Sequence, residues 1–223
     1  MILPRYSQPK RKDVVKKMIE IKNYSVMNLV NAMRGARNPL NSWDKSDSYT
    51  DQNGDYHLGE ADLKLASKLC RAGSDHRKFI RQIFVSVDLL APLYWWKEFD
   101  TYKVGTVANS TSTMHKIHSK PFDMGDFSCD KMDDPTLKFM RVVVSYLEEL
   151  RLNYNATKDK EIWYSIIQLL PSSYNQLRTV TLNYETLINI YNARKNHKLA
   201  EWQYFCAWVE TLPYANELIL MKD

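Results

Sequence analysis

The stretch His76–Met114 reads HRKFIRQIFVSVDLLAPLYWWKEFDTYKVGTVANSTSTM. Within it Ile83–Leu90 (IFVSVDLL) alternates: Ile83, Val85, Val87 and Leu89 point one way while Ser86 and Asp88 break up the other face, the pattern of a half-buried strand. Ala91-Pro92 ends it, since proline has no N–H for a ladder. Pro92 also suits the first turn of a helix, predicted over Leu93–Lys103. A loop of small polar residues follows, through Asn109-Ser-Thr-Ser-Thr113.

Working outward, residues 13–34 place apolar side chains at helix-like spacing, with Asn23-Tyr-Ser25 as a break between two short elements. Residues 35–57 are polar and turn-rich and predict a long ordered loop. Gly59–Ala72 reads as a helix with Leu63, Ala66, Leu69 and Cys70 on one face and Gly73 as its C-cap. Downstream, residues 118–135 predict another loop. Leu137–Leu152 and Lys160–Leu170 are amphipathic helices, the second halted by Pro171. Leu177–Leu182 (LRTVTL) alternates as a strand, Asn183 N-caps a helix over Tyr184–Asn196, and Ala200–Leu212 is the last helix. The fold class is α/β (α+β): one domain over residues 1–223, rich in helix, with few strands.

Composition excludes several functions. The chain has 223 residues, 44% of them hydrophobic, enough for a core and against wholesale disorder. Its six glycines form neither a G-x-G pattern nor a phosphate-loop signature, so a Rossmann dinucleotide site and a Walker loop are out. The net charge of +5 equals the surplus of Arg5, Lys10, Arg11, Lys12, Lys16 and Lys17 over Asp13. It marks a basic arm, flexible over 1–12, rather than a basic face. That arm would suit phosphate contact, but no RNP-like or groove-reading pattern accompanies it, so nucleic acid is not the expected partner. Cys70, Cys129 and Cys206 make neither a disulfide framework nor a zinc spacing, which points to a reducing, cytoplasmic location. The longest mostly apolar run, Ile83–Trp96, is too short for a bilayer. Asp51-x-Asn53-x-Asp55 opens like a calcium loop, but Tyr56 stands where glycine is required, so it reads as a solvated turn. His115-x-x-His118 lacks a third ligand, and no metal is expected.

A histidine before a strand, Ala-Pro after it, a tryptophan-rich helix and a polar loop resemble the flavin-dependent thymidylate synthase (ThyX) family, where this plan leads into an Arg-His-Arg-x-x-Ser signature. Here Thr101-Tyr102-Lys103-Val104-Gly105-Thr106 stands in that place. A second block agrees: Leu170-Pro171, a strand, Asn183, then LINIYNARKNHKLAEW, with Asn189, Asn192, Arg194, His197 and Trp202 in the family's pattern. Ala36-Arg37 before a polar loop also fits.

The resemblance spans roughly residues 30–212 and implies a homotetramer with a small, mostly antiparallel sheet packed with long helices. It also implies transfer of a methylene carbon from methylenetetrahydrofolate to dUMP through reduced FAD, with NADPH as reductant, or else a non-catalytic or altered-substrate nucleotide/flavin-binding protein on the same fold.

By the same resemblance Arg194, Asn109 and Thr111 fall at catalytic positions, and His76, Lys103, Thr106, Asn189 and His197 at cofactor-binding ones. A flavin pyrophosphate and a nucleotide phosphate need fixed cationic donors, each charge-assisted bond being worth about 1.5–3 kcal/mol. The chain departs from the family here. The signature's first arginine is Thr101, its histidine Tyr102, its second arginine Lys103, the preceding glutamine Glu98, and a later arginine Glu185. Lys97, Lys116, Arg178 and Lys195 are replacement cations, and the Val104–Ala108 backbone, eased by Gly105, is a phosphate cradle. Arg194 reads either as a phosphate clamp or as an ion-pair partner, His76 and His197 as ligand groups or structural histidines, and Trp95, Trp96 and Phe99 as core or interface aromatics.

Overall fold

The structure, a computed structural model, describes residues 19–222. The basic arm and residues 13–18, the start of the two short elements expected over 13–34, lie outside them. In chain order the elements are β1 (Glu20–Met27), α1 (Leu29–Arg37), β2 (Tyr49–Thr50), β3 (Tyr56–His57), α2 (Glu60–Arg71), β4 (Phe84–Pro92), α3 (Leu93–Phe99), β5 (Val107–Ser110), α4 (Asp134–Thr157), α5 (Lys160–Leu169), β6 (Asn175–Asn183), α6 (Tyr184–Arg194), α7 (Ala200–Val209) and α8 (Ala215–Leu218). The expected α/β class, a small sheet with several helices, is what forms.

The main sheet has the order β1-β4-β6-β5. Polar side chains report the register of its centre. Thr179 Oγ1 donates to Asp88 Oδ1 at 2.6 Å and Thr181 Oγ1 lies 3.3 Å from Ser86 Oγ, so β4 and β6 run antiparallel. The other face of these strands is core: Val85, Val87, Leu89, Val180 and Leu182 are fully buried. Each such aliphatic side chain contributes about 1.5–3 kcal/mol by leaving water.

Two expectations change. The segment 20–27 is a strand, not helix. Asn23 adopts φ +50°, and the half-buried apolar residues on either side of it, Ile21 and Val26, are five apart, so the two-residue alternation that marks a strand is lost. Residues 107–110, expected as loop, form an edge strand: Val107 lies opposite Thr181 and Asn109 opposite Thr179. All four of its residues are exposed, so it carries no apolar alternation to read. The helix after Pro92 also stops early, at Phe99, where the Thr101 hydroxyl bonds back to the Glu98 carbonyl at 2.7 Å.

Packing divides the described residues into two compact units interleaved along the chain. One comprises Leu90–Lys97 and Thr111–Leu177. Its core lies along α4 and α5, where Met140, Val144, Leu147, Ile166 and Phe127 cluster, as the amphipathic period predicts. Asp133 and Asp159 N-cap the two helices. The other unit comprises Ile21–Leu89, Glu98–Ser110 and Arg178–Asp223. In it Gly73, at φ +103°, follows α2, and Asn183 caps α6 through Thr186 N–H at 2.9 Å, both as the sequence predicts. Asp51 Oδ1 accepts from the N–H groups of Asn53 and Asp55, so the calcium-like motif is the turn of the β2–β3 hairpin. A buried pair braces this unit. Arg37 Nε donates to Asp62 Oδ1 at 2.5 Å, Nη1 to the Ser42 carbonyl and Nη2 to the Lys45 carbonyl. Ser46 and Ser48 hydroxyls complete the Asp62 carboxylate. No described helix is long and apolar enough to cross a membrane.

Candidate functional site

Four segments of the second unit supply the site: the end of α3, the turn after it, the last turn of α6 and the start of α7. The floor is aromatic. Phe99 and Trp202 stack with ring centroids 6.3 Å apart, and Phe205 meets both edge-on. All three are buried, so the Trp202 indole is held rigidly.

On this floor lies the Arg194 guanidinium, 4.9 Å from the Trp202 ring centroid and 5.7 Å from that of Tyr102. A cation over two electron-rich faces is held by their quadrupoles. Arg194 Nε donates to the Tyr102 phenol oxygen at 2.9 Å, and Nη1 donates to Glu98 Oε2 at 2.9 Å. The same Glu98 oxygen accepts from Trp202 Nε1 at 2.7 Å. His197 closes the ring with Nε2 at 3.6 Å from Glu98 Oε2, while its Nδ1 accepts the Leu199 N–H at 3.2 Å. A neutral imidazole in this setting carries its proton on Nε2, toward Glu98. The Glu98 side chain keeps 34% of its surface exposed, and Arg194 18%.

A second feature is the turn after Tyr102. Val104 O accepts from Thr186 Oγ1 at 2.8 Å, which ties the turn to the first turn of α6. Gly105 sits at φ +68°, and a Cβ there would overlap the Asn183 carboxamide. Glycine is required on both counts. Thr106 Oγ1 is buried without a hydrogen-bond partner among the described residues. Lys103 projects from the exposed turn with no carboxylate partner among them. The Thr106 N–H closes the turn on the Lys103 carbonyl at 3.4 Å, which leaves the lysine and the Val104 and Gly105 amides to suit an anion.

Of the residues singled out in the sequence, the structure brings Arg194 and His197 together around Glu98, with Lys103 and Thr106 following the same helix end. Asn109 lies exposed on edge strand β5, and Thr111 continues that edge by bonding to the Leu177 carbonyl at 2.9 Å. His76 and Asn189 are exposed and join no cluster. Trp95, Trp96 and Phe99 are buried, in keeping with their reading as core aromatics. Tyr102 and Trp202 were absent from the candidate set although both hold Arg194. Trp202 carries a signal through its match to the resembled pattern, whereas nothing local in the sequence marks Tyr102, which lies beyond the end of α3, as a partner of Arg194.

Other arginines near these segments are likewise answered by carboxylates. Glu185 is gripped by Arg77 through Nε at 3.0 Å and Nη2 at 2.9 Å. Arg178 donates to Asp100 at 2.7 Å. The hydrogen bond from Glu185 raises the Arg77 pKa further.

Solved structures of known proteins share this fold. Two crystal structures of flavin-dependent thymidylate synthase ThyX from Helicobacter pylori, complexed with FAD and dUMP, match with TM-score 0.64 at 17% identity. They cover 91% and 92% of this chain and 98% and 99% of their own. The UMP/dUMP methylase PolB from Streptomyces cacaoi, bound with 5-Br dUMP, matches with TM-score 0.56 at 15% identity, over 89% of this chain and 90% of its own. No protein-family model and no curated protein sequence matches the chain. The chain therefore has a ThyX-like fold.

Proposed function

We propose that this chain is a nucleotide- and flavin-binding protein of the ThyX fold, one functional domain over residues 1–223, that holds its ligands through donors other than a full arginine signature. The observation that supports it is the Arg194 cluster: the retained arginine stands on its aromatic floor at the end of α6, but its charge is already met by Glu98. A phosphate-bearing group finds its donors instead at Lys103 and the turn through Thr106. FAD fits this turn through its pyrophosphate. It does not fit Arg194 while Glu98 holds it. When bound, the flavin supplies two-electron redox chemistry; Lys103 and the turn amides hold its anionic part, and His197 and Tyr102 keep Arg194 in place.

Thermal melting of the purified protein tests this reading. FAD or dUMP raises the midpoint in wild type, and Lys103→Ala removes that rise. No rise with either ligand, from well-folded protein that is not yellow, rejects it.

The finer reading is a flavin-dependent thymidylate synthase acting in the cytosol. It takes dUMP and methylenetetrahydrofolate as substrates and NADPH as reductant, in a homotetramer whose neighbouring copies complete the site. The alignment of the ThyX structures over nine-tenths of the chain favours it. Rescue of a thymidine-requiring strain is the expected outcome. Failure to rescue, with soluble protein that binds FAD, leaves the binding protein and removes the synthase.

A further inference from the structure

Glu98 is placed as no bystander would be. Its Oε2 receives Arg194 Nη1 at 2.9 Å and Trp202 Nε1 at 2.7 Å, with His197 Nε2 beyond at 3.6 Å. Two donors, one from α6 and one from α7, converge on one carboxylate oxygen, with His197 from the turn between the helices alongside, the arrangement a protein builds around a bound anion. Here the anion is covalently part of the chain. The cluster is not sealed, because about a third of the Glu98 side chain faces solvent.

We infer that Glu98 is a specificity-determining residue: as a tethered anion on Arg194 it excludes phosphate from the cluster and selects a ligand group that is uncharged and donates hydrogen bonds, such as a sugar hydroxyl or a base amine. Two physical effects give the selection its sign. An incoming phosphate has to displace the carboxylate from Arg194, and its charge then lies within a few ångströms of the displaced carboxylate, a repulsion that the half-buried setting strengthens. A hydroxyl or amine does the reverse. It approaches the exposed part of the carboxylate as a donor and leaves the pair with Arg194 intact. Nothing else in the cluster offers a competing negative charge: Tyr102 contributes a phenol and Trp202 an indole.

This inference rests on the nucleotide-site reading, and the test separates the two. Glu98→Gln keeps the size of the side chain and an acceptor oxygen while removing the charge. Inorganic phosphate is titrated onto wild type, Glu98→Gln and the double variant Glu98→Gln/Arg194→Met, followed by the indole N–H resonance of Trp202. The single variant is expected to bind phosphate at least about tenfold more tightly than wild type, and the double variant to lose that gain. In parallel, the ratio of dUMP to deoxyuridine affinity is expected to move about tenfold toward dUMP from wild type to Glu98→Gln. Equal phosphate affinity in wild type and Glu98→Gln overturns the inference, as does a gain that survives loss of Arg194. A phosphate switch in a protein that binds no nucleotide or flavin upholds the tethered anion and rejects only the proposed function.

Discussion

Two arginine–carboxylate pairs stand in the same unit and differ in what surrounds them. Arg37 and Asp62 are sealed, at 5% and 0% side-chain exposure, and each of the three guanidinium nitrogens meets a carboxylate or carbonyl oxygen. Arg194 and Glu98 keep 18% and 34%, and the guanidinium leans on aromatic faces instead of a full set of acceptors. The first pair has nothing left to offer a ligand and pins the loop through Ser48 to α2. The second retains surface and unspent donors, so its partner can be exchanged. Saturation, rather than charge, separates the structural pair from the functional one.

Breaking the sealed pair gives the largest expected effect. Arg37→Met leaves Asp62 buried without its counter-charge and destabilises the fold by about 3–5 kcal/mol, read from the denaturant midpoint. A loss under 1 kcal/mol, on the order of a surface pair, removes the distinction drawn here. The same pair carries a pH signature. Burial alone pushes the Asp62 carboxyl up, but hydrogen bonds from Ser46, Ser48 and Arg37 outweigh it and hold the group below its ordinary 3.8. A depressed folded value means the contribution is complete above pH 3.8 and is lost as pH falls through the folded value. The difference in unfolding free energy between wild type and Asp62→Asn is therefore expected to be flat near neutrality and to shrink below that point. A difference that grows on acidification contradicts the assignment.

Gly105→Ala comes next. The +68° backbone and the Asn183 carboxamide both oppose a side chain, for a loss of about 1–3 kcal/mol together with weaker FAD binding. Calorimetric melting with and without FAD resolves the two. The smallest effect is expected at the open pair, where Glu98→Gln shifts stability by less than about 1 kcal/mol while changing anion binding. A large loss of stability there makes the pair structural and erases the contrast.

Much of the fold is legible in the chain because burial writes a period into it. The alternation of Ile83–Leu89, the helical stripe of Met140, Val144 and Leu147, and the caps at Asn183 and Gly73 all survive in the structure. Legibility fails where burial does not set the pattern. The alternation of β1 is lost around Asn23, and β5 has no buried side at all. At the site, the resemblance led to Arg194 and His197, and the substitution of Glu98 for a glutamine was visible as a charge hostile to phosphate. That Glu98 would bond Arg194 directly, with Tyr102 and Trp202 on either side, depends on segments about a hundred residues apart meeting. No local spacing encodes that meeting.

The two packed units trade the chain back and forth, each taking strands and helices from separate stretches. Cutting the polypeptide anywhere between Pro92 and Asn175 therefore robs both at once, because β4 and β6 sit on opposite sides of every such cut. Half-length fragments are expected to recover order only when mixed, and a gene for this protein cannot be shortened to its binding half.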